Sequence, residues 1–228
     1  MPDIAVIIPA FNEEGAIGKV IREIPKDIVN EVIVVNNNSN DNTGKVALSE
    51  GATVIDEPKR GYGRACLKGI EYLKNKSPQS DIVVFMDGDH SDYPGELGSV
   101  VRPIIENDMD MVIGSRTLGK AEKGALMPQQ LFGNRLATTL IRLIFGIRYT
   151  DLGPFRDIKF SSLIKLNMQD TSYGWTTEMQ IKAAKQKLKI SEVPVSYRKR
   201  IGTSKISGTI KGSLSAGYKI IMTVFRNC

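Results

Sequence analysis

The sequence predicts an α/β protein with a mostly parallel central sheet that carries helices on both faces. Short runs rich in Val and Ile, bounded by turn residues, alternate with segments whose apolar residues recur at helical spacing. The strand runs are apolar at successive positions, which is typical of parallel strands buried on both faces. The 228 residues are 41% hydrophobic, which is enough to bury the core of one large domain.

Five strands and four helices are predicted in the first half of the chain. The strands are at residues 4–8, 31–35, 52–55, 81–86 and 109–113, and the helices are at 12–24, 42–49, 62–74 and 95–106. In the third helix Cys66, Ile70 and Leu73 form an apolar stripe. Parallel sheets bind ligands at the carboxyl ends of their strands, so a site is expected in the loops that follow these strands.

The alternation is less regular after Ser115. The sequence predicts a helix at 128–145, a loop and strand at 150–160, a helix at 173–187, a strand at 188–197 and a final helix at 209–226. The sequence therefore predicts one α/β domain with a helical elaboration at its C-terminal end.

Charge is distributed unevenly along the chain. The formal net charge is +6, and residues 193–228 contain no acidic residue but seven basic ones: Arg198, Lys199, Arg200, Lys205, Lys211, Lys219 and Arg226. A basic tail fits anionic lipid or a phosphorylated substrate. Nucleic acid is not predicted as a partner, because the tail lacks interleaved aromatic residues and a recognisable nucleic-acid-binding module.

The cysteines and the N-terminus bear on location. Cys66 and Cys228 are far apart and have no partner at metal-binding spacing, so neither a disulfide framework nor a zinc site is predicted. No secretory signal is recognisable, and no stretch reaches the roughly 18 apolar residues of a membrane span. We therefore expect a cytoplasmic protein, either soluble or peripheral on the cytoplasmic face of a membrane.

The loop "DGDHSDYP" places Asp87 and Asp89 directly after an apolar strand. Residues two apart in an extended segment point the same way, so the two carboxylates can converge. Such a pair repels unless a cation lies between them, which predicts Mg²⁺ or Mn²⁺ bound together with a diphosphate. The alternative is an acidic turn that caps the next helix, since Ser91 and Asp92 are good capping types. His90, the only histidine, is not assigned to the site.

The order of the loops resembles that of a known family. "VIIPAFNEE", "VVNNNSNDNT", "RGYGRACLKG", "DGDHSDYP" and "VIGSR" resemble the inverting glycosyltransferases of family 2, which have the GT-A fold. In the second half, "DLGPFRD", "GWTTEMQIKAA" and "VPVSYRKRIGTSK" are similar to the branch with dolichyl-phosphate and polyprenyl-phosphate hexosyltransferases. Each motif alone is weak, but the similarity runs in order over about residues 4–205.

The resemblance implies a GT-A domain at residues 1–208, with a nucleotide-binding half at 1–116 and an acceptor half at 117–208, followed by an amphipathic helix at 209–228. It implies a donor site at the strand ends and beside the phosphates: Pro9, Phe11, Glu13, Asn36, Asn37, Asp87, Arg116 and Ser204. It implies catalytic roles for four charged residues: Asp89, Asp151, Arg200 and Lys205. Asp87 and Asp89 match the family's metal motif, with Mg²⁺ or Mn²⁺ as the cofactor.

Two departures from the family pattern bear on these roles. Asn36 stands where the family commonly has a base-reading aspartate, and an asparagine there can both donate and accept hydrogen bonds. Arg200 lies two residues before Gly202, where three are expected, so the division of roles between Arg198 and Arg200 is open.

The implied reaction moves a hexose from a nucleotide sugar of the UDP-glucose or GDP-mannose type to a polyprenyl or dolichyl phosphate. A phosphate acceptor is already ionised near neutral pH and needs no general base, and the only candidate bases in sequence are Asp151 and Asp157. One alternative is a soluble glycosyltransferase that acts on a hydroxyl group with one of these aspartates as base. The other is a non-catalytic protein that binds nucleotide sugars.

The residue pattern of two helices predicts contact with an anionic membrane surface. Arg135 and Arg142 fall on nearly one face of the helix at 128–145, among leucines and isoleucines. In the final helix an apolar stripe lies apart from the basic residues: Ile210, Leu214, Gly217, Tyr218 and Ile221. The alternative is that both stripes pack on the sheet or on a second subunit of a homo-oligomer.

Overall fold

The computed structural model of the protein describes residues 2–202 and 210–227, and in the last helix it describes side chains from residue 217 onward. Seven strands are present in that part of the chain: β1 (Ile4–Ala10), β2 (Glu31–Asn36), β3 (Thr53–Asp56), β4 (Ile82–Phe85), β5 (Met111–Ser115), β6 (Arg156–Lys159) and β7 (Ile190–Pro194). Between and after them lie α1 (Ile17–Glu23), α2 (Thr43–Ser49), α3 (Tyr62–Lys74), a 3₁₀ turn (Pro94–Glu96), α4 (Leu97–Asn107), α5 (Pro128–Phe145), α6 (Phe160–Leu166), α7 (Trp175–Lys185) and α8 (Ile210–Arg226).

The strands form one sheet in the order β3-β2-β1-β4-β6-β5-β7. Neighbouring strands are parallel except at β6, which is antiparallel to both β4 and β5. This confirms the predicted mostly parallel α/β architecture. Because β1 lies between β2 and β4, the loops after these three strands meet at one edge of the sheet.

Helices cover both faces of the sheet, as predicted. Successive residues of β1 alternate between two cores, because side chains along a strand point to opposite faces. Ile7 packs with residues of α3, α5, α6, α7 and α8, whereas Ile8 packs with residues of α1, α2 and α4. The sheet is therefore buried on both sides, which explains why its strands are apolar at successive positions.

Helix α1 begins later than the predicted start at residue 12, because the preceding turn is held by another loop. Asn12 has a left-handed backbone, with φ 53°. The N–H groups of Asn12 and Glu13 donate to the side-chain hydroxyls of Ser39 and Thr43 at 3.0 and 2.8 Å. These donors stabilise a turn rather than a helix, and regular helix follows from Ile17.

The second half of the chain contains one element that the sequence did not predict, the seven-residue helix α6. The strand predicted at 188–197 is shorter, because after Pro194 the regular pairing with β5 ends and Tyr197 makes two isolated bridges instead, with Asp92 and Ala121. Helix α8 contacts α5 and α7 and buries Val224 against them. The expected boundary at residue 208 lies outside the described residues. Within them, no helix is long and apolar enough to cross a membrane.

A buried carboxyl group lies in the middle of the sheet. Asp157 on β6 is opposite Val84 and Val112 of the neighbouring strands and is fully buried. Within the described part of the chain, neither oxygen of its carboxyl group has a hydrogen-bond partner. Burial raises the pKa of Asp157 well above its usual value, so the folded protein keeps this group protonated and uncharged.

This carboxyl group predicts a pH-dependent stability. Between the pKa of an unfolded aspartate, about 3.9, and the raised folded pKa, the unfolded chain loses a proton that the folded chain keeps. The free energy of unfolding therefore falls as pH rises in this window, by up to about 1.4 kcal/mol per pH unit. Relative to wild type, Asp157→Asn should gain stability as pH rises above about 4 in denaturant titrations.

The readout is the change in the wild-type-to-variant difference with pH, not the difference at one pH. Asp27, which is exposed, supplies the matched control Asp27→Asn, which makes the same chemical change outside the sheet. A trend with pH that both variants share would not be due to burial in the sheet. A constant difference for Asp157→Asn would show that Asp157 is charged in the folded protein.

Candidate active site

A cavity of about 310 Å³ opens at the carboxyl ends of β1, β2 and β4. Its walls come from the loops after these strands, from the start of α3 and from two positions late in the chain. The lining residues are Pro9, Ala10, Phe11, Glu13, Asn37, Arg60, Gly61, Tyr62, Asp87, Gly88, Asp89, Tyr173 and Arg200. The predicted site residues Pro9, Phe11, Glu13, Asn37, Asp87, Asp89 and Arg200 are thus brought together.

The two neighbouring asparagines after β2 have different positions. The Asn37 amide donates to the backbone carbonyls of Glu57 and Lys59 at 3.2 and 2.8 Å and accepts from the N–H of Gly61 at 2.8 Å. It therefore shapes the loop that carries the cavity wall. Asn36 instead donates to a carboxylate oxygen of Asp56 at 2.8 Å and is not among the lining residues. Of the two, the structure brings only Asn37 to the cavity.

The wall opposite the carboxylates combines aromatic and basic side chains. The Arg60 guanidinium lies over the Phe11 ring, 4.1 Å from its centre. Gly63, at the start of α3, allows the loop at 170–172 to approach closely, since a Cβ there would lie 2.0 Å from the Asp170 carbonyl oxygen. This approach brings Tyr173 to the cavity.

Arg60, Tyr62 and Tyr173 were not predicted as site residues. The glycine spacing in "RGYGRA", directly after a strand and opening a helix, was the available signal for the first two. Tyr173 had no such signal, because its position depends on the contact between distant segments.

Three carboxyl groups crowd the loop after β4. Burial, and then the charges of Asp89 and Asp92, raise the pKa of Asp87 well above its usual value. Burial and the charge of Asp89 raise the pKa of Asp92 to about 7. Asp89 is only 6% exposed, and one of its oxygens accepts bonds from the Ser91 N–H and hydroxyl at 2.9 and 2.5 Å. The group as a whole attracts a cation.

Arg200 supplies a positive charge to this group. Its guanidinium lies 3.1 Å from a carboxylate oxygen of Asp89 and 2.9 Å from one of Glu13. The sequence left the division of roles between Arg198 and Arg200 open. In the structure Arg200 enters the cavity, whereas Arg198 is not among its lining residues. Ser204 and Lys205, also predicted here, lie outside the described residues.

The acidic side chains fit a divalent cation that takes some of its ligands from the protein and the others from a bound substrate. In the described ranges no group of three or more His, Cys, Asp or Glu side chains forms a complete metal cage. Mg²⁺ is usually held by one or two carboxylates and takes its other ligands from phosphates and water. Asp87 and Asp89 beside an open cavity provide that donor set. The pKa of Asp87 is raised first by burial and then by the neighbouring carboxylates, and a cation would relieve the repulsion.

Arg116 and Asp151, both predicted site residues, bind each other instead of lining the cavity. The Arg116 Nε and Nη2 groups donate to the two oxygens of Asp151 at 2.7 and 2.8 Å, and its backbone N–H adds a third bond at 2.9 Å. Burial opposes the charge of Arg116, but the bonds to Asp151 outweigh it and raise the pKa of the guanidinium. The pair joins the end of β5 to the loop before β6.

Comparison with known proteins identifies relatives along almost the whole chain. The model of a family described as Glycosyl transferase family 2 matches residues 5–166. An uncharacterized glycosyltransferase of Mycobacterium tuberculosis is 32% identical over 215 residues, 93% of this chain and 94% of the relative. A dolichyl-phosphate hexose transferase of Haloferax volcanii is 30% identical over 223 residues, 96% of this chain and 92% of the relative.

A solved structure shows the same fold. Glucosyl-3-phosphoglycerate synthase from Mycobacterium tuberculosis, crystallised with Mn²⁺, UDP and phosphoglyceric acid, matches with a TM-score of 0.77 at 21% identity. The match covers 100% of this chain and 78% of the other. It confirms the expected GT-A type of fold.

The two asparagines supply a test of how the cavity is built. Asn37→Ala removes three hydrogen bonds from a buried amide, so we expect the free energy of unfolding to fall by about 2–3 kcal/mol. Because the 57–61 loop would lose its support, affinity for UDP or GDP with Mn²⁺ should fall about tenfold, measured by calorimetry. Asn36→Ala, the matched control, should cost about 1 kcal/mol of stability or less and leave nucleotide affinity unchanged. The reverse order of effects would place the nucleotide against Asn36.

Proposed function

Since this chain belongs to glycosyl transferase family 2 and is a glycosyltransferase, we propose that it transfers a hexose from a nucleoside diphosphate sugar to a polyprenyl phosphate, with inversion at the sugar. The observation that carries this proposal is the convergence of Asp87, Asp89 and Arg200 in one cavity at the ends of β1, β2 and β4. Acids for a cation and a guanidinium for phosphate oxygens are the groups needed by a departing diphosphate.

Different residues of the cavity bind different parts of the donor. The Phe11 ring and the Arg60 guanidinium offer flat surfaces against which a nucleobase can stack. Asp87 and Asp89 hold Mg²⁺ or Mn²⁺, which neutralises charge that develops on the diphosphate as the bond to the sugar breaks. Arg200 gives up its contacts with Glu13 and Asp89 to bind phosphate oxygens, because charged donors favour the more highly charged partner.

The acceptor is inferred from the two candidate bases, Asp151 and Asp157, neither of which is free in the described part of the chain. Transfer to a hydroxyl group needs a base to take its proton, whereas a phosphate monoester is already ionised. Asp151 is bound by Arg116 through both carboxylate oxygens, and Asp157 is enclosed in the sheet. Neither lines the cavity. A phosphate acceptor is therefore favoured, and the name of the Haloferax relative, a dolichyl-phosphate hexose transferase, agrees with it.

A soluble reaction on a hydroxyl group is the alternative, and product analysis separates the two. Purified protein is incubated with Mn²⁺ and either UDP-glucose or GDP-mannose, together with a polyprenyl phosphate, the matching polyprenol or 3-phosphoglycerate. We expect a glycosylated product only with the polyprenyl phosphate. Product from the alcohol or from phosphoglycerate instead would contradict the proposed acceptor.

The carboxylate Asp89 should be indispensable in the same assay. Asp89→Asn removes one charge from the cation site, and we expect the transfer rate to fall by at least about 100-fold, as for the loss of a transition-state contact. Thermal stability should change little, because the relieved repulsion with Asp87 and the lost ion pair with Arg200 oppose each other. Asp27→Asn serves as the control and should match wild type. Near-normal transfer by Asp89→Asn would remove these acids from the mechanism.

We propose further that the enzyme works at an anionic membrane surface, using the outer face of α5. Phe132 and Leu143 on that face are 71% and 76% exposed, and Leu136 lies between them. Arg135 and Arg142 are exposed beside this apolar stripe, and α5 contains no acidic residue. The opposite side of the helix is buried through Ala137, Thr138 and Ile141. Apolar and basic residues on one exposed helix face match the chemistry of an anionic lipid interface.

Helix α5 also joins this face to the acceptor side of the site. The Asn134 amide donates to the Thr150 carbonyl at 3.1 Å and accepts from the Leu152 N–H at 2.9 Å. These bonds bracket Asp151, the partner of Arg116. A protein that rests on lipid through α5 would hold this loop close to a lipid-linked phosphate.

Flotation with vesicles tests the membrane contact. Phe132→Ser together with Leu143→Ser should weaken binding to vesicles with anionic lipid at least about tenfold, because burial of each side chain contributes about 1.5–3 kcal/mol. Leu48→Ser is the matched control, since Leu48 is 65% exposed on α2 across the sheet. If wild type does not bind the vesicles, the membrane proposal is wrong. If wild type is a dimer that the double variant dissociates, a second subunit covers this face instead.

A further inference from the structure

The carboxylate loop, residues 87–93, and the basic loop, residues 197–202, are joined along their backbones. The N–H of Arg198 donates to the carbonyl of Ser91, and the N–H of Ile201 donates to the carbonyl of Asp89, both at 2.9 Å. The two loops therefore form one unit. Asp89 and Arg200, which face each other in the cavity, depend on the geometry of that unit.

Arg198 binds the carboxylate loop from the side away from the cavity. Its Nε donates to the carbonyl of His90 at 2.7 Å and its Nη2 to that of Asp92 at 3.2 Å. The guanidinium also lies over the Tyr93 ring, 4.4 Å from its centre. One side chain thus fixes three successive parts of the loop that follows Asp89.

Glu23, the last residue of α1, binds both Arg198 and His90. One carboxylate oxygen accepts from Arg198 Nη2 at 2.6 Å, and the other lies 2.8 Å from His90 Nε2. Burial acts to raise the pKa of Glu23, but the bonds from Arg198 and His90 outweigh it and lower the pKa. Helix α1 is itself anchored in the core by Ile17 and Ile21, so Glu23 is a fixed point for the two loops.

The backbone at His90 shows why such a fixed point is needed. His90 has φ 66°, in the left-handed region, which is uncommon for residues other than glycine, so the surrounding contacts help to hold it there. It directly follows Asp89. Without the bond from its ring to Glu23 and the bond from its carbonyl to Arg198, the residue can relax and turn the Asp89 carboxylate away from the cavity.

We propose that Glu23 is a positioning residue for glycosyl transfer, which acts through His90 and Arg198 to hold Asp89 and Arg200 in their working arrangement. The proposal rests on the function proposed above. Glu23 does not line the cavity, and its side chain is 40% exposed. Exposed ion pairs contribute little to folding stability, so the main effect of this contact is on the geometry of the site.

The variant Glu23→Gln tests the proposal, because it removes the charge and keeps the size of the side chain. Calorimetry with Mn²⁺ and UDP or GDP should show an affinity about tenfold lower, and kcat should fall about tenfold, since small displacements of positioned groups are costly. The Tm should change by less than about 2 °C. The matched control is Glu50→Gln, which removes the ion pair of the neighbouring α1 residue Arg22, far in sequence from both loops. It should leave every quantity at its wild-type value.

A triple variant distinguishes positioning from a separate role. If Glu23 acts through Arg198 and His90, then Glu23→Gln should add less than about twofold to the loss already caused by Arg198→Gln combined with His90→Ala. The proposal is overturned if the losses multiply, or if Glu23→Gln keeps wild-type affinity and kcat. It is also overturned if the loss in Glu23→Gln is explained by unfolded protein. If wild type binds Mn²⁺ with UDP or GDP but transfers no hexose to polyprenyl phosphate, the proposed function fails while the affinity measurement still decides the role of Glu23.

Discussion

Repulsion among carboxylates at the end of β4 is the interaction on which the rest of the site depends. Asp87, Asp89 and Asp92 share one short, largely buried loop, and burial with mutual repulsion raises the pKa of Asp87 and Asp92. Two features offset this cost: Arg200 pairs with Asp89, and the Asp87 N–H donates to Asp92 at 3.2 Å. A divalent cation shared with a diphosphate would offset it further. Under the proposed function, the repulsion therefore favours binding of the cation and the donor.

Two layers of contacts hold these charges in place. Inside the cavity Arg200 faces the acids directly, whereas Arg198, two residues earlier, binds the outside of the same loop. Residues two apart in an extended segment would share a side, but only Arg200 lines the cavity. The sequence therefore left their roles open, and the tertiary contacts assign Arg200 to the charge of the site and Arg198 to its shape.

The proposed donor and acceptor sides of the site are built differently. The donor side uses strand ends, where Asn37 and the glycines of α3 let backbone segments meet closely. On the acceptor side Arg116 and Asp151 neutralise each other, and Asn134 attaches α5 to their loop. The first arrangement suits a rigid nucleotide. In the second, Arg116 occupies the Asp151 carboxylate and α5 exposes apolar side chains, which suits the proposed lipid-linked phosphate.

The sequence by itself determined the class of fold, the glycosyltransferase family, and the adjacency of most donor-site residues. It could do so because the periods of strands and helices, and the loops that follow strands, are local properties. Only the tertiary structure decided three points. Asn37 rather than Asn36 lines the cavity, Asp151 and Asp157 do not line it, and Tyr173 does. Each depends on contacts between residues 20 or more positions apart, such as Asn37 with Gly61 or Arg116 with Asp151. A side chain's neighbours across the sheet, rather than its neighbours along the chain, settle which of its atoms remain free to bind a substrate.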